Sequence, residues 1–400
     1  MLANALAASA RVRICLVYDR LHPLTLGGAE RWLRDVAERL AARGHEVTYL
    51  TMRHWDASVH PEVPGVRLVT VGPRMAVYNE LRRRMLPPLV FGACVLWHLL
   101  RHGRRYDVVH SVSFPYFSVL AAGALRGLQG YRLVVDWFEV WTWGYWREYV
   151  GRLAGAIGWA VQRACIALTQ HAFCFSRLHA ARLREEGYRR DVEVLAGLYS
   201  EPLEAPDPRP AQPVVVYAGR HIPEKRVPAL LPAIARARAQ VPELRGEIYG
   251  DGPEHALVER LVVELDLAEA VTVHGFVSPE VVDQALRRAL CLVLPSRREG
   301  YGLVVVEASA RGTPSVVVRE LDNAATELVD DGENGVIAES ASPEDLCAAI
   351  LRVHAAGDGL RASTAAWFAR NAQRLSLAAS LEQVEAAYRG TLRDAATARS

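Results

Sequence analysis

Pro295-Ser-Arg-Arg-Glu-Gly-Tyr-Gly-Leu-Val-Val-Val-Glu-Ala-Ser-Ala-Arg-Gly-Thr-Pro314 decides how this chain is read. It follows an apolar run, Leu290–Leu294, and precedes another, Ser315–Val318. Both runs have the length and β-branched content of buried strands. Between them lie a charged turn, a Gly-Tyr-Gly hinge and an apolar segment that predicts a short helix beginning near Leu303. Strand, turn, helix and strand make one βαβ unit. Gly300 and Gly302 permit close backbone approach and turn angles that other residues avoid. A helix starting at Leu303 would aim free N–H groups at the turn, an arrangement suited to phosphate. Glu299 and Glu307 bracket the turn. As ionised carboxylates they only accept hydrogen bonds, so they suit ligand hydroxyls. Glu299 fits a sugar and Glu307 a ribose, with a diphosphate between. The plainer reading leaves both as solvated surface charges.

Glu299-Gly-Tyr-Gly-Leu-Val-Val-Val-Glu307 resembles the E-x7-E signature of retaining GT-B glycosyltransferases of family 4. The resemblance extends over roughly Arg11 to Glu382. It implies two Rossmann-like parallel-sheet domains facing a cleft, an α/β architecture. It also implies a nucleotide-diphosphate sugar as donor. Residues 1–204 are then the acceptor-binding domain and 205–213 a linker. Residues 214–375 are the nucleotide-sugar domain, and 376–400 a last helix that crosses back to the first.

Composition is that of an ordinary globular protein. Of 400 residues 51% are hydrophobic and 23% charged, which suits two globular domains. A net charge of +2 makes no general case for nucleic acid. The six cysteines (15, 94, 165, 174, 291 and 347) are scattered, without C-x-x-C spacing. Buried thiols in a reducing cytoplasm are expected. The Ala-rich start, residues 1–10, lacks the basic segment of a signal peptide and reads as an unstructured leader.

Along the chain, Arg13–Tyr18 reads as the first strand, followed by Thr25-Leu-Gly-Gly-Ala-Glu30 and an amphipathic helix to Arg43. Gly27 and Gly28 stand at that strand's carboxyl end, where open parallel sheets bind ligands. The loop is not G-x-G-x-x-G, so a nicotinamide oxidoreductase fits poorly. It resembles the family's GGAER segment, whose glycines let the loop approach the donor phosphates or the acceptor; a plain tight turn is the other reading. Arg82 to Arg105 is a basic-flanked apolar segment with Pro87, Pro88 and His98, too short to span a bilayer. Peripheral contact with an anionic membrane is one reading. A buried domain helix with solvated ends is the preferred one.

Asp107-Val-Val-His-Ser-Val-Ser113 resembles a family strand whose second His is here Val112. His110 is therefore either a site residue or a core histidine. Arg132–Trp146 reads as a strand running into a loop with Trp137, Phe138, Trp141, Trp143, Tyr145 and Trp146. Many relatives place a His near the sugar's anomeric carbon at this strand's end. Here Phe138 stands there, leaving Asp136 and Glu139 as the ionisable neighbours. Aromatic faces stack on sugars and planar rings and attract cations. The loop is expected to line the acceptor pocket through Asp136, Trp137, Phe138, Glu139, Trp141 and Trp143. A hydrophobic plug is the other reading. The Pro-rich segment Glu204–Pro213 can be neither helix nor central strand.

The second half repeats the rhythm. Val214–Tyr217 leads to Ala218-Gly219-Arg220, then His221-Ile-Pro-Glu-Lys225. Gly219, Arg220 and Lys225 resemble the family's G-R…K donor site, and an Arg fork with a Lys point charge suits a diphosphate. Gly252 lies in a Gly-Asp-Gly-Pro turn resembling the family's G-x-G-P. Phe276 and Val277 follow a segment resembling the one that contacts the base. The donor set is thus Gly27, Gly28, Gly219, Arg220, Lys225, Gly252, Phe276, Val277, Glu299, Gly300, Tyr301, Gly302, Leu303 and Glu307.

The resemblance implies transfer with retention, in which Arg220 and Lys225 stabilise the departing diphosphate and Glu299 orients the sugar. No D-x-D occurs, so no metal and no cofactor are expected. Uridine, guanosine and adenosine donors all fit these residues. The acceptor expected from the aromatic loop is a small molecule of specialised metabolism, with lipid-linked and thiol acceptors as alternatives. An epimerase or hydrolase on the same fold, or an idle scaffold, is the alternative to transfer.

Overall fold

The computed structural model describes residues 11–397, except 26, 57, 76, 77, 80, 81, 85 and 202–209. The expected leader and most of the linker fall outside the described residues. The chain divides into two compact units. The first comprises residues up to 175, with 179–195 and the segment from 380 onward. The second comprises 176–178 and 196–379. The N-terminal part of the first unit thus runs to Leu195, where the sequence suggested 204.

The first unit is built on a seven-stranded parallel sheet ordered β3-β2-β1-β6-β7-β8-β9. Its strands are β1 (Arg13–Val17), β2 (Glu46–Met52), β3 (Arg67–Val71), β6 (Val108–Val112), β7 (Arg132–Trp137), β8 (His171–Cys174) and β9 (Val192–Val194). A two-stranded antiparallel ribbon, β4 (Tyr78–Asn79) and β5 (Arg82–Arg83), lies outside it. The helices are α1 (Gly28–Ala42), α2 (Leu86–His102), α3 (Tyr116–Gln129), α4 (Trp143–Val150), α5 (Arg152–Ala167), α6 (Arg177–Glu185) and, at the end of the chain, α12 (Leu377–Thr397).

Strand alternation assigns each face a layer. Cys15, Val17, Val109, Leu133, Val135 and Trp137 share one buried core with Phe91, Val95 and Leu99 of α2 and with residues of α3 and α5. Such strands are apolar on both faces because helices cover both. On α12, Tyr388 lies in the interior, its hydroxyl 2.6 Å from Nδ1 of His110. Glu385 of the same helix pairs with Arg43 at 3.0 Å.

The second unit has a six-stranded parallel sheet ordered β12-β11-β10-β13-β15-β17. These strands are β10 (Val214–Ala218), β11 (Arg245–Tyr249), β12 (Val271–Gly275), β13 (Cys291–Leu294), β15 (Ser315–Val318) and β17 (Gly335–Ala338). The crossover helices are α7 (Leu230–Arg238), α8 (His255–Glu264), α9 (Pro279–Arg288) and α10 (Leu303–Ala310). A short parallel ladder, β14 (Arg298–Glu299) with β16 (Asp322–Asn323), sits past the end of β13. The helix α11 (Pro343–Leu375) is two helices meeting at Gly357, whose φ of 54° breaks the run.

The stretch Arg132–Trp146 differs from its reading in where the loop ends. Residues 143–146 are the first turn of α4, not loop. Thr142 caps it, its hydroxyl accepting from the Tyr145 N–H at 3.2 Å, the usual role of a Thr before a helix.

Candidate functional site

In each sheet the strand order reverses once, between β1 and β6 and between β10 and β13. Chains leaving neighbouring strands there diverge to opposite faces and open a crevice at the strands' carboxyl ends. In the second unit that position is occupied by the residues the sequence singles out. After β10, Gly219 and Arg220 are exposed, and a 3-10 turn, Pro223–Lys225, follows. Lys225 Nζ lies 2.5 Å from Oε1 of Glu299, with side-chain exposures of 18% and 9%. The same oxygen accepts from the Ser296 hydroxyl at 2.8 Å. The Arg297 N–H donates to the Glu224 carbonyl at 2.8 Å, which ties the turn after β10 to the segment after β13. A cation and a carboxylate are therefore fixed side by side across the reversal point.

Glycines set the height of this rim. A Cβ at Gly250 would stand 1.9 Å from the Gly219 carbonyl oxygen, and φ there is +112°. At Gly252 it would stand 2.5 Å from the His221 carbonyl oxygen. The loops after β10 and β11 thus pack backbone on backbone. Gly275 closes the row, its carbonyl accepting from the Gly250 N–H at 2.8 Å. Beyond it Phe276 is 60% exposed and Val277 half-buried.

The hinge ends at Gly302, whose φ of 99° places it in the left-handed region just before α10. A Cβ at Gly302 would meet that of Ala325 at 2.8 Å. Leu303 opens the helix as expected, and Glu307 sits half-buried within it. Tyr301 departs from its expectation as a donor contact. It is buried and its hydroxyl donates to the Ala196 carbonyl at 2.5 Å, so it anchors the hinge from below.

Three residues that the sequence did not single out support this rim. Buried Asn323 donates to the carbonyls of Ser296 (3.2 Å) and Val318 (2.8 Å) and caps the following turn through Ala325 N–H. Arg226 takes a left-handed conformation at φ 50° and pairs with Glu320 at 2.5 Å. His221 is fully buried and stacks on His255. Burial, then the neighbouring His255, pushes its pKa down to about 4, so it is neutral near pH 7. Signals existed for some of them. Asn before a short helix is a capping signature, but Arg226 carries none.

In the first unit, Gly27 sits before α1. A Cβ there would be 2.2 Å from a carboxylate oxygen of Glu30, which is buried beside Arg20 at 3.6 Å. A side chain at Gly27 would displace the Glu30 carboxylate, while the space around a Cβ at Gly28 is open. The expected acceptor residues separate into two groups. His110, Asp136 and Trp137 have no exposed surface. His110 Nε2 lies 2.8 Å from Asp136 Oδ1. The other carboxylate oxygen of Asp136 accepts from the Trp32 indole at 2.8 Å, and the Trp137 indole donates to Gln170 at 2.9 Å. These three are interior, because strand alternation and the covering helices bury the end of β7. They cannot line a pocket as expected.

Phe138, Glu139 and Trp141 are half-buried. The Phe138 ring is stacked on Phe175 with centroids 4.0 Å apart and planes 2° apart. Trp141 donates its indole N–H to Glu139 at 2.9 Å, and buried Gln162 exchanges hydrogen bonds with its backbone. Trp141 also contacts Phe114, Tyr145, Trp146 and Tyr149. Much of the aromatic run is therefore packing. Trp143, 40% exposed, lies apart on α4, edge-on to Trp159 of α5 at 5.2 Å.

Among the described residues no group of three or more His, Cys, Asp or Glu side chains is placed to hold a metal ion. No described helix is long and apolar enough to cross a membrane.

Comparison with known proteins bears on the whole chain. The family described as Glycosyltransferase Family 4 matches residues 26–197, and Glycosyl transferases group 1 matches residues 203–373. The chain is 28% identical over 361 residues to a D-inositol 3-phosphate glycosyltransferase of Streptomyces scabiei, covering 79% of this chain and 76% of that one. Other curated relatives are 30–36% identical over 138–193 residues, and the match spans only 33–42% of their own lengths. Sucrose-phosphate synthase from Thermosynechococcus elongatus has the same fold at a TM-score of 0.80 and 22% identity, covering 96% of this chain and 100% of that one. The Anabaena protein HepE, solved in complex with UDP-glucose, gives a TM-score of 0.71 at 17% identity, covering 96% and 100%. Two parallel-sheet units with this rim, and two family matches that together tile the chain, place it in the GT-B glycosyltransferases of family 4.

Proposed function

We propose that this chain transfers a sugar, with retention of anomeric configuration, from a nucleotide-diphosphate donor to a small-molecule acceptor. The observation that carries the reading is the Lys225–Glu299 pair fixed at the reversal point of the second sheet. Lys225 and exposed Arg220 stabilise charge on the departing diphosphate, the contribution that usually dominates such catalysis. Glu299, held by Ser296 and Lys225, accepts hydrogen bonds from donor hydroxyls. The free N–H groups at the start of α10 face the phosphates, Glu307 takes the ribose, and Phe276 with Val277 meets the base. HepE was solved with UDP-glucose, so a uridine donor is the first to try.

The two cations supply the positive charge a metal would otherwise bring, and the reaction runs without one. Phe138 cannot take a proton, and its face is occupied by Phe175. The leaving phosphate itself then accepts the acceptor's proton on the same face of the sugar, which retains configuration. The acceptor meets Phe138 and Glu139, the strand-end side chains that keep some exposed surface. A small acceptor, of the kind made in specialised metabolism, accords with the inositol phosphate for which the Streptomyces scabiei relative is named. All six cysteines are unpaired thiols, five of them buried, which suits the cytoplasm.

The test is a thermal-shift series with UDP, GDP, ADP and their common sugars in the presence of EDTA, on wild type and Lys225→Ala. One nucleotide should raise the wild-type transition, and Lys225→Ala should abolish the rise. No shift with any nucleotide sinks the donor assignment. Free sugar released at full rate without acceptor marks a hydrolase instead.

A further inference from the structure

The helix layer over one face of the first sheet is apolar on its outside as well as its inside. In α2 the inward row is Phe91, Val95 and Leu99, all fully buried. The outward row, at helical spacing, is Leu86 (60% exposed), Leu89, Leu96, Trp97 (59%) and Leu100. A surface helix normally turns a polar stripe outward. Exposed apolar side chains also stand on two other helices of this unit. Leu128 of α3 is 61% exposed, and Leu153 and Ile157 of α5 are 79% and 59% exposed. Single exposed hydrophobics need no explanation, but five on one face of one helix require a cover. This is where the preferred reading of segment 82–105 as a buried helix with solvated ends falls short.

Charge identifies the cover. The helices α2, α3 and α5 contain no aspartate or glutamate. Arg101, Arg104, Arg105, Arg152 and Arg163 on or beside them are exposed. The Arg101 guanidinium stands 3.2 Å from the Trp97 ring centroid. An indole with a cation at its rim suits the boundary between acyl chains and head groups. A second copy placed face to face would bring like-charged arginines together, which disfavours that occupant. An apolar groove of about 270 Å³ between α2 and α3, lined by Leu89, Ala93, Leu96, Phe117, Leu120 and Ala124, gives lipid tails room to enter. At 17 residues α2 is about 25 Å long and would lie in the plane of a bilayer rather than cross it.

We propose that the outward face of α2, with the groove it forms against α3, is a docking surface for an anionic lipid bilayer. Leu86, Leu89, Leu96, Trp97 and Leu100 enter the acyl boundary, and Arg101, Arg104 and Arg105 meet lipid phosphates. The surface does not depend on the donor reading, and its test involves no nucleotide.

The experiment is flotation of the full chain with vesicles of phosphatidylglycerol and phosphatidylcholine, and with phosphatidylcholine alone. Wild type should float with the anionic vesicles, weakly with the neutral ones, and less as salt rises. The double variant Leu96→Glu/Trp97→Glu should lower partitioning by at least about tenfold, and Arg101→Glu/Arg105→Glu should remove the preference for anionic lipid. Both variants should keep the wild-type thermal transition, because the altered side chains lie on the solvent side. Failure of wild type to float overturns the proposal. So does flotation that both variants leave unchanged. Sedimentation equilibrium run in parallel covers the other occupant. A dimer that Leu96→Glu/Trp97→Glu converts to monomer, without vesicle binding, assigns the face to a second copy.

Discussion

The rim around β10 and β13 and the end of β7 both stand at carboxyl ends of parallel strands, yet they are finished in opposite ways. At the rim, short polar side chains and glycines are pinned by an ion pair and backbone hydrogen bonds, and Arg220 and Gly219 stay exposed. At the end of β7, aromatic rings close over Gln162, and Trp137, Tyr145 and Trp146 are buried. A polar group held away from bulk water keeps its ability to bind only if its partners can be exchanged for a ligand's. An aromatic ring with other rings to pack on simply satisfies itself. Position in the fold makes a site available; the side chains decide whether it is used or sealed.

The sharpest way to break this contrast is Trp137→Ala. Removing a fully buried indole should cost about 3–5 kcal/mol and leave the Gln170 acceptor unpaired. Urea unfolding followed by first-unit tryptophan fluorescence would measure it. A loss below about 1 kcal/mol would mean that the end of β7 is looser than its packing implies.

Next in size is Lys225→Ala at the rim. Loss of one preorganised charge at a leaving group should lower kcat/KM by about 10²–10³-fold, roughly 3–4 kcal/mol. Initial rates with the donor identified by thermal shift would show it. A fall of less than about threefold would make Lys225 a structural partner of Glu299 and shift the catalytic role elsewhere.

The third test uses pH and compares the two units. His221 has an ordinary pKa of 6.5 when unfolded and about 4 when folded, depressed chiefly by burial. The folded state thus holds it neutral while the unfolded state takes up a proton below about 6.5. Its contribution is present in full above that value and is lost as pH falls toward about 4. Between about pH 7 and pH 5 the loss is on the order of 2 kcal/mol. His98 of α2, also pushed to about 4 by burial, gives the first unit a slope of the same sign. His221→Gln should flatten only the second unit's slope. Equal slopes in wild type and variant would contradict the burial of His221.

Much of the rim was legible in the sequence because its residues are constrained by backbone geometry. Gly219, Gly252 and Gly302 mark close approaches or left-handed turns, and Leu303 begins its helix where the hinge ends. Each unit's sheet followed from apolar runs separated by helical patterns. The aromatic run was less legible because composition does not state direction. Period-two alternation would have placed Asp136 and Trp137 on opposite buried faces, yet the chemistry of aromatic rings drew both toward a pocket. Tyr301 was misplaced for a related reason: between two glycines it looked like part of a flexible hinge, while its hydroxyl is fixed to Ala196. The outward apolar row of α2 could not be told from an inward one, since periodicity gives stripes but not what covers them.

The smallest expected effect falls within the aromatic run itself. Trp143 is 40% exposed, touches Trp159 edge-on, and has Arg147 5.6 Å from its ring centroid. Trp141, two residues earlier, is half-buried and held by Glu139 and Gln162. Trp143→Ala should change stability by less than about 1 kcal/mol, whereas Trp141→Ala should cost about 2–3 kcal/mol through lost burial and the lost indole–Glu139 hydrogen bond. Neither change should move the donor-induced thermal shift, because no donor residue lies in this segment. Acceptor KM separates the two residues further. If the acceptor meets Phe138 and Glu139, Trp141→Ala raises KM and Trp143→Ala leaves it alone. An equal rise for both would return Trp143 to the acceptor pocket and extend the binding surface along the whole run. No rise for either would make the end of β7 a plug throughout, with acceptor recognition built from other residues.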